Sequence, residues 1–564
     1  MIKFLKEMIR LVRLIILLLA FTTSEAQISA KNGMVVSDNL TASAVGTDIL
    51  KKGGNAIDAS VTTAFALAVT HPQAGNIGGG GFLVFMNSDS KVTTIDFREK
   101  APLKATSDMF LDDNANYIKG SNHEGLKSVG VPGTVAGLYL AHRKYGKLPW
   151  KVLIQPAIDL AEDGIPFSGT LYEQAQRIKS TSESEFLINY FLDPDGELIQ
   201  PGQIWKQQYL ANTLKQIRDH GQDGFYKGIV AEEIVRYMKN NGGIITMEDL
   251  EKYEAVERAP VRGTYKGYEI YSMAPPSSGG VALIEMMNII ELANLDSVKF
   301  NSAEYLHLLA EVMRRAFADR AEHLGDPDFN PDIPIQRLTS KEFAKMRFEN
   351  IDPNRASPSD SLRFGQIYDG TNTTHFSVID NSGSAVSLTY TLEQSYGSEM
   401  GSSALGFIFN NEMGDFNAQT GNTNRAGLIG THQNKIEPEK RMLSSMTPTI
   451  VAKNGKAILV IGSPGGRTII NTVFQTVLNV LEYDMPINEA IEAMKIHHQW
   501  LPDRILYEKD TMSSDTRNSL ESKGHKLDER EYLGRLMGIT FDRENNIYTG
   551  ASDSSSPDGG VVGY

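Results

Sequence analysis

Residues 376–380 (Phe-Ser-Val-Ile-Asp) and 385–391 (Ala-Val-Ser-Leu-Thr-Tyr-Thr) are two runs of apolar and β-branched residues, the composition of strands. Asn381-Ser382-Gly383 between them is turn chemistry, because Asn and Gly tolerate positive φ. The pair reads as a buried hairpin that begins almost immediately after Thr373, deep inside a chain of 564 residues. Residues 350–372, which feed it, are rich in Ser, Asp, Asn and Pro without clear periodicity. A linker and an exposed cleavage segment share that composition.

A threonine at the start of a buried strand is where an N-terminal-nucleophile enzyme keeps its reactive group. If the chain is cut between Asn372 and Thr373, the new α-amine has an unperturbed pKa of roughly 7.7–8.0. It can then serve as base for the hydroxyl beside it. An ordinary Thr-rich edge hairpin has the same local pattern, so the rest of the chain must decide between the two.

The chain has no cysteine, which excludes disulfides, thiolate catalysis and Cys-ligated metals. Its net charge of −14 argues against nucleic acid or an anionic membrane surface as the main partner. At the N-terminus Lys3, Lys6, Arg10 and Arg13 precede an apolar run over residues 14–21, and small residues lead to Ala26. This is the pattern of a secretory signal of residues 1–26, too short for a stable membrane span. The expectation is an exported protein, periplasmic or secreted, with a retained anchor as the alternative.

Residues 56–70 read as an Ala-rich helix and 82–86 as a buried strand, with Gly78-Gly79-Gly80-Gly81 between them. No Gly-Lys-Ser/Thr follows those glycines, so close backbone packing is expected rather than a phosphate cradle. Residues 92–96 predict a strand, after which a lone Arg98 taken by itself would be a solvated charge. Strands are also expected over 265–273, 406–411, 449–452 and 457–462, and long helices over 302–325 and from about 467. Residues 417–440 form a Gly/Asn/Thr/Gln-rich loop, long enough for a lid. Gly465-Gly466, at a strand-to-helix turn, could present backbone N–H groups to an oxyanion. Adjacent His497 and His498 point apart with no third ligand spaced to join them, so no metal is expected.

Taken in order, these stretches resemble the γ-glutamyltranspeptidase family, also called glutathione hydrolases. The resemblance runs from about residue 31 to the C-terminus. It is carried by Gly54-Asn55-Ala56-Ile57-Asp58-Ala59, Thr70-His71-Pro72-Gln73-Ala74-Gly75-Asn76, Asp96-Phe97-Arg98-Glu99 and Pro275-Pro276-Ser277-Ser278-Gly279-Gly280. Leu324-Gly325-Asp326-Pro327, Thr373-Thr374-His375, Asn410-Asn411-Glu412-Met413, Leu443-Ser444-Ser445-Met446 and Gly462-Ser463-Pro464-Gly465-Gly466 continue it.

The resemblance implies an α+β fold of the N-terminal-nucleophile hydrolase type, a four-layer αββα sandwich. Two subunits of one precursor would build it, residues 27–372 and 373–564. Thr373 would attack the γ-glutamyl carbonyl, giving an acyl-enzyme that water or an amino acid or peptide acceptor resolves. Thr391 would orient the Thr373 amine, and Gly465 and Gly466 would bind the oxyanion. Arg98, aided by Ser444 and Ser445, would take the α-carboxylate of the substrate, glutathione or another γ-glutamyl compound. Glu412 and Asp415 would take its α-ammonium, and Glu393 stands in the same pocket. No cofactor is implied.

Those residue types suit a zwitterionic substrate end, because a planar cation matches carboxylate and carboxylates match ammonium. Two departures stand out. Ala426 falls where some bacterial members carry a lid tyrosine, and residues 417–440 contain no Tyr. Gly414 stands where many members have Asp. The alternatives are a cephalosporin (glutaryl) acylase of the same fold, with less use for Glu412 and Asp415, and an unprocessed homologue that only binds γ-glutamyl compounds.

Overall fold

The computed structural model describes residues 27–359, 373–421 and 430–564. Residues 1–26, which read as a secretory signal, and Asn372 and Ala426 lie outside the described residues.

The hairpin forms as its pattern predicts, with strands Thr373–Ile379 and Ala385–Thr391 buried at every position. They pair antiparallel from Thr373 opposite Thr391 to Ile379 opposite Ala385. The turn is held by Asp380, whose Oδ1 accepts from the backbone N–H of Ser382 and of Ser384, while Gly383 takes φ +81°. A positive φ of that size favours glycine.

The hairpin is the centre of a seven-stranded antiparallel sheet. Gly560–Gly563 and Met34–Ser37 lie on one side of it, and Gly80–Met86, Val92–Phe97 and Val256–Arg258 on the other. Segments from both sides of the Asn372–Thr373 bond are therefore interleaved in one ladder. A second seven-stranded sheet runs Ile28–Ala30, Ile547–Ser552, Met537–Asp542, Lys456–Gly462, Thr449–Lys453, Tyr268–Ser272, Val261–Tyr265.

Val84, Met86, Ile379, Val460 and Ile539 form the dry layer between the sheets. Helices Leu40–Lys51, Ala56–Thr70 and Trp150–Asp163 contribute to the core with the first sheet. Gly279–Ile290, Ala303–His323 and Thr468–Glu482 do so with the second. The result is the expected four-layer α+β sandwich. Ala56–Thr70 is buried along all 15 residues, which explains its small side chains; Asn55 and Asp58 close a capping box at its start.

The four glycines pack backbone against backbone. A Cβ would lie 2.3 Å from the Ile408 carbonyl oxygen at Gly78, 2.0 Å from that of Thr391 at Gly79, and 2.4 Å from that of Thr389 at Gly81. No side chain fits there.

Two expectations are corrected. Residues 265–273 are not one strand, because Lys266-Gly267, both at positive φ, fold the chain into a tight hairpin between Val261–Tyr265 and Tyr268–Ser272. Residues 406–411 join no ladder. Their backbone bonds go to scattered segments, Phe409 N–H to Met400, Asn410 N–H to Gly78 and Asn411 N–H to Leu392, and the Asn410 side-chain amide adds bonds to the carbonyls of Gly78 and Gly130. Among the described residues no helix is long and apolar enough to cross a membrane.

Candidate active site

The central hairpin sets the first pair of site residues. Thr373 and Thr391 are directly opposite each other, and the Thr373 hydroxyl donates to that of Thr391 over 3.3 Å. Thr391 is fixed in turn: its hydroxyl accepts the Glu393 N–H at 2.8 Å, and its carbonyl accepts the Asn76 amide at 3.0 Å. The Asn76 carbonyl oxygen accepts from Gly79 N–H and the Thr134 hydroxyl. The glycine run and the Thr373–Thr391 hairpin are thus tied by one satisfied buried amide.

Strand Val92–Phe97 delivers Arg98, and burial to 1% exposure overturns the solvated reading of a lone post-strand arginine. Its Nη1 lies 2.6 Å from a Glu412 carboxylate oxygen and its Nη2 2.5 Å from Asp415. Glu99 stands 3.5 Å away. The arginine fork is therefore held by the carboxylates expected to receive an α-ammonium. Neither Glu412 oxygen makes a well-directed hydrogen bond despite full burial, so the pair offers acceptors to an incoming donor. Charge assistance keeps Arg98 ionised: burial opposes its charge, but Glu412, Asp415 and Glu99 outweigh that and raise its pKa.

The carboxylates crowd one another. Burial pushes the Glu99 carboxyl up to about 8 against the pull of Arg98. Burial also raises Glu412 well above the usual range, Arg98 opposing and the neighbouring carboxylates adding to it. Glu393 rises for the same reason, opposed by His123. Glu99, Glu412 and Glu393 are thus all raised, as expected of buried carboxyls that crowd one another around a single guanidinium.

Residues 443–446 and the turn after strand Lys456–Gly462 close the other wall. The Ser444 hydroxyl accepts the Met446 N–H at 3.1 Å, and the Ser445 hydroxyl accepts from Arg320 at 3.0 Å. Arg320, on helix Ala303–His323, also donates to Ser278 and has no carboxylate partner among the described residues. Burial and then Arg467 pull its pKa down, to about 9, which leaves a charged guanidinium at neutral pH. Gly465 at φ +135° and Gly466 at φ +59° turn the chain into helix Thr468–Glu482. These φ values free the turn from side chains next to the helix N-terminus, where backbone N–H groups favour an anion.

One cavity gathers Thr373, Thr391, Arg98, Glu393, Glu412, Asp415, Ser444, Ser445 and Gly466. Gly465 sits one residue behind its wall. Only about 30 Å³ is open to water there, room for little more than one molecule. A groove of about 980 Å³ beside Tyr190, Trp205 and Tyr209 is larger, but no residue singled out by sequence lines it.

Sequence reasoning missed Glu99, His123, Arg320 and Arg467. Glu99 was within a recognised motif and could have been weighed as a neighbour of Arg98. Arg467 directly follows the Gly465-Gly466 pair and could have been weighed with it, whereas His123 and Arg320 reach the site through long-range packing with no local signature.

His307, Glu311 and His525 bring donor atoms within 4.8 Å of one another, but these donors are committed. His307 Nδ1 lies 2.7 Å from His525 Nε2, its Nε2 bonds the Asp352 carbonyl, and Glu311 pairs with Arg314 and Arg315. Two adjacent guanidiniums also oppose a cation. His497 bonds Asn471 and Gln499, and His498 faces Asp503.

Residues 42–563 match the family described as Gamma-glutamyltranspeptidase. The chain is 46% identical over 544 residues to the glutathione hydrolase proenzyme of Escherichia coli (strain K12), covering 95% of this chain and 93% of that relative. Cephalosporin acylase from Bacillus halodurans superposes with a TM-score of 0.84 at 25% identity, over 96% of this chain and 98% of that one. The γ-glutamyltranspeptidase of Helicobacter pylori is 45% identical, with a TM-score of 0.54 over 57% of this chain and 91% of that one.

Proposed function

The chain belongs to the γ-glutamyltranspeptidase family, and on that premise we propose how its own residues perform the family reaction. It is a glutathione hydrolase and γ-glutamyltransferase of the N-terminal-nucleophile class. Scission of the Asn372–Thr373 bond gives Thr373 a free amine. That amine takes the proton as Thr373 Oγ bonds to the γ-carbonyl carbon, and the oxyanion forms against Gly465 and Gly466. The proton passes to the departing amine as the C–N bond breaks, leaving a threonyl ester. Water, or the amine of an amino acid or peptide acceptor, then attacks the ester carbon and Thr373 regains its proton.

Recognition is charge exchange. The substrate α-carboxylate takes over the Arg98 fork, with Ser444 and Ser445 beside it, while Glu412, Asp415 and Glu393 turn to the α-ammonium. The observation that carries this reading is the shared cavity of Thr373, its Thr391 partner and the Arg98–Glu412–Asp415 cluster. A glutaryl substrate has no ammonium, and would leave these carboxylates buried without a counter-charge; the acylase reading is disfavoured on that ground. A pure binding homologue has no need of the Thr373–Thr391 pair.

Intact mass and N-terminal sequencing of the purified protein, with a γ-glutamyl-p-nitroanilide assay, test the proposal. Two chains, one beginning at Thr373, with p-nitroaniline release are expected. A single uncut, inactive chain overturns it. Export directed by residues 1–26 is part of the same reading, and fractionation of expressing cells tests it.

A further inference from the structure

Glu393, on the cavity wall, is met from behind by a histidine of a distant loop. His123 is 8% exposed, and its Nδ1 lies 3.3 Å from Glu393 Oε2 and 3.4 Å from Gln394 Nε2. The loop is sewn to the turn that carries Glu412 and Asp415. Asn411 donates to the His123 carbonyl at 3.0 Å, and Asn122 donates to the Gly414 carbonyl at 3.1 Å.

The space for the ring exists because residue 414 has no side chain. A Cβ on Gly414 would lie 2.3 Å from His123 Nδ1 and 2.4 Å from Cε1, closer than any real contact of that kind. Glu393, in turn, is held at φ +79°, an unusual backbone for a residue with a side chain, and its N–H is bound to the Thr391 hydroxyl. Backbone and imidazole together fix where its carboxylate points.

We propose that His123, seated in the gap left by Gly414, is a positioning residue for substrate recognition: as an imidazolium it holds the Glu393 carboxylate ionised and oriented toward the α-ammonium of the γ-glutamyl group. This rests on reading the cavity as the γ-glutamyl site. Of the charged groups that face the ring, Glu393 and Asp415 favour its cation and Arg467 opposes it. Burial lowers its pKa, but the hydrogen bond and charge of Glu393, with Asp415 adding, outweigh burial and the opposing Arg467, and the net shift is upward. The Glu393–His123 pair is then a second ion pair at the cavity beside those of Arg98.

The test is steady-state kinetics of the mature enzyme on γ-glutamyl-p-nitroanilide and on glutaryl-p-nitroanilide, which lacks the α-amine. His123→Asn is expected to raise KM for the γ-glutamyl substrate about tenfold, the scale of one charge-assisted hydrogen bond, with kcat much less changed. Activity on the glutaryl compound should move little, and one ionisation above pH 6.5 should leave the pH profile of kcat/KM. Gly414→Ala should reproduce the KM effect by driving the ring away, and should add nothing in a His123→Ala background where the space is already empty.

An unchanged KM and pH profile in His123→Asn overturns the proposal. So does an equal loss on both substrates, or a full effect of Gly414→Ala in the absence of the ring. A wild-type enzyme that prefers the glutaryl anilide would instead bring down the reading of the pocket itself, and this proposal with it.

Discussion

The hydroxyl of Thr373 lies 3.3 Å from that of Thr391, its partner directly across the central hairpin. The contact comes from strand register, so it is as rigid as the sheet. A one-residue slip would turn one of the two threonines to the opposite face.

Thr373→Ala should therefore leave a folded, uncut precursor without activity, whereas Thr373→Ser should retain processing and turnover at reduced rate. Gel mobility and p-nitroanilide release read both. Two subunits in the alanine variant would show that another group performs the cut.

Arg98→Lys keeps the charge but loses the fork that spans Glu412 and Asp415. The expected result is a rise in KM for γ-glutamyl donors of at least tenfold, while cleavage before Thr373 proceeds. Equal loss of processing and turnover would assign Arg98 to architecture.

Arg320 is a buried guanidinium without a carboxylate partner among the described residues, bonded to the Ser445 hydroxyl. It supplies positive potential beside Ser445, where we propose that the α-carboxylate binds. Arg320→Gln should weaken γ-glutamyl donors and competitive γ-glutamyl inhibitors by similar factors with kcat little changed. Unaltered inhibitor affinity would refute that role.

Glu99 titrates near pH 8 in the folded protein and near 4.5 when exposed. Between those values the folded state holds a proton that the unfolded state has released. Stability therefore falls as pH rises across this window, by up to about 1.4 kcal/mol per pH unit for this group. Glu99→Gln should flatten that slope, so that its thermal midpoint relative to wild type improves from pH 5 to pH 8. Parallel curves for the two proteins would contradict the assignment.

Gly79→Ala pushes a methyl to 2.0 Å from the Thr391 carbonyl oxygen. Overpacking of this kind costs about 1–3 kcal/mol, and here the displaced strand carries the nucleophile's partner. Denaturant unfolding and activity should both suffer, whereas Gly383→Ala in the hairpin turn, where nothing lies within 4 Å, should cost stability through its φ of +81° and spare kcat.

Much of this was legible in the residues because it is local. The alternation of residues 376–391, the Asn-Ser-Gly turn, the small side chains of Ala56–Thr70 and the glycine run each state their structure within a few positions of themselves. Family motifs in order singled out residues that the structure gathers into one cavity. The tertiary structure alone decided their condition. Arg98 and Asp415 are 317 residues apart in sequence, and only packing shows that they form an ion pair. Likewise, nothing near position 414 announces that its missing side chain makes room for an imidazole from residue 123. Short-range periodicity encodes elements because backbone geometry repeats over two to four residues. Burial, charge pairing and proton affinity depend on which distant segments the folded sheets bring together, and no local pattern carries that information.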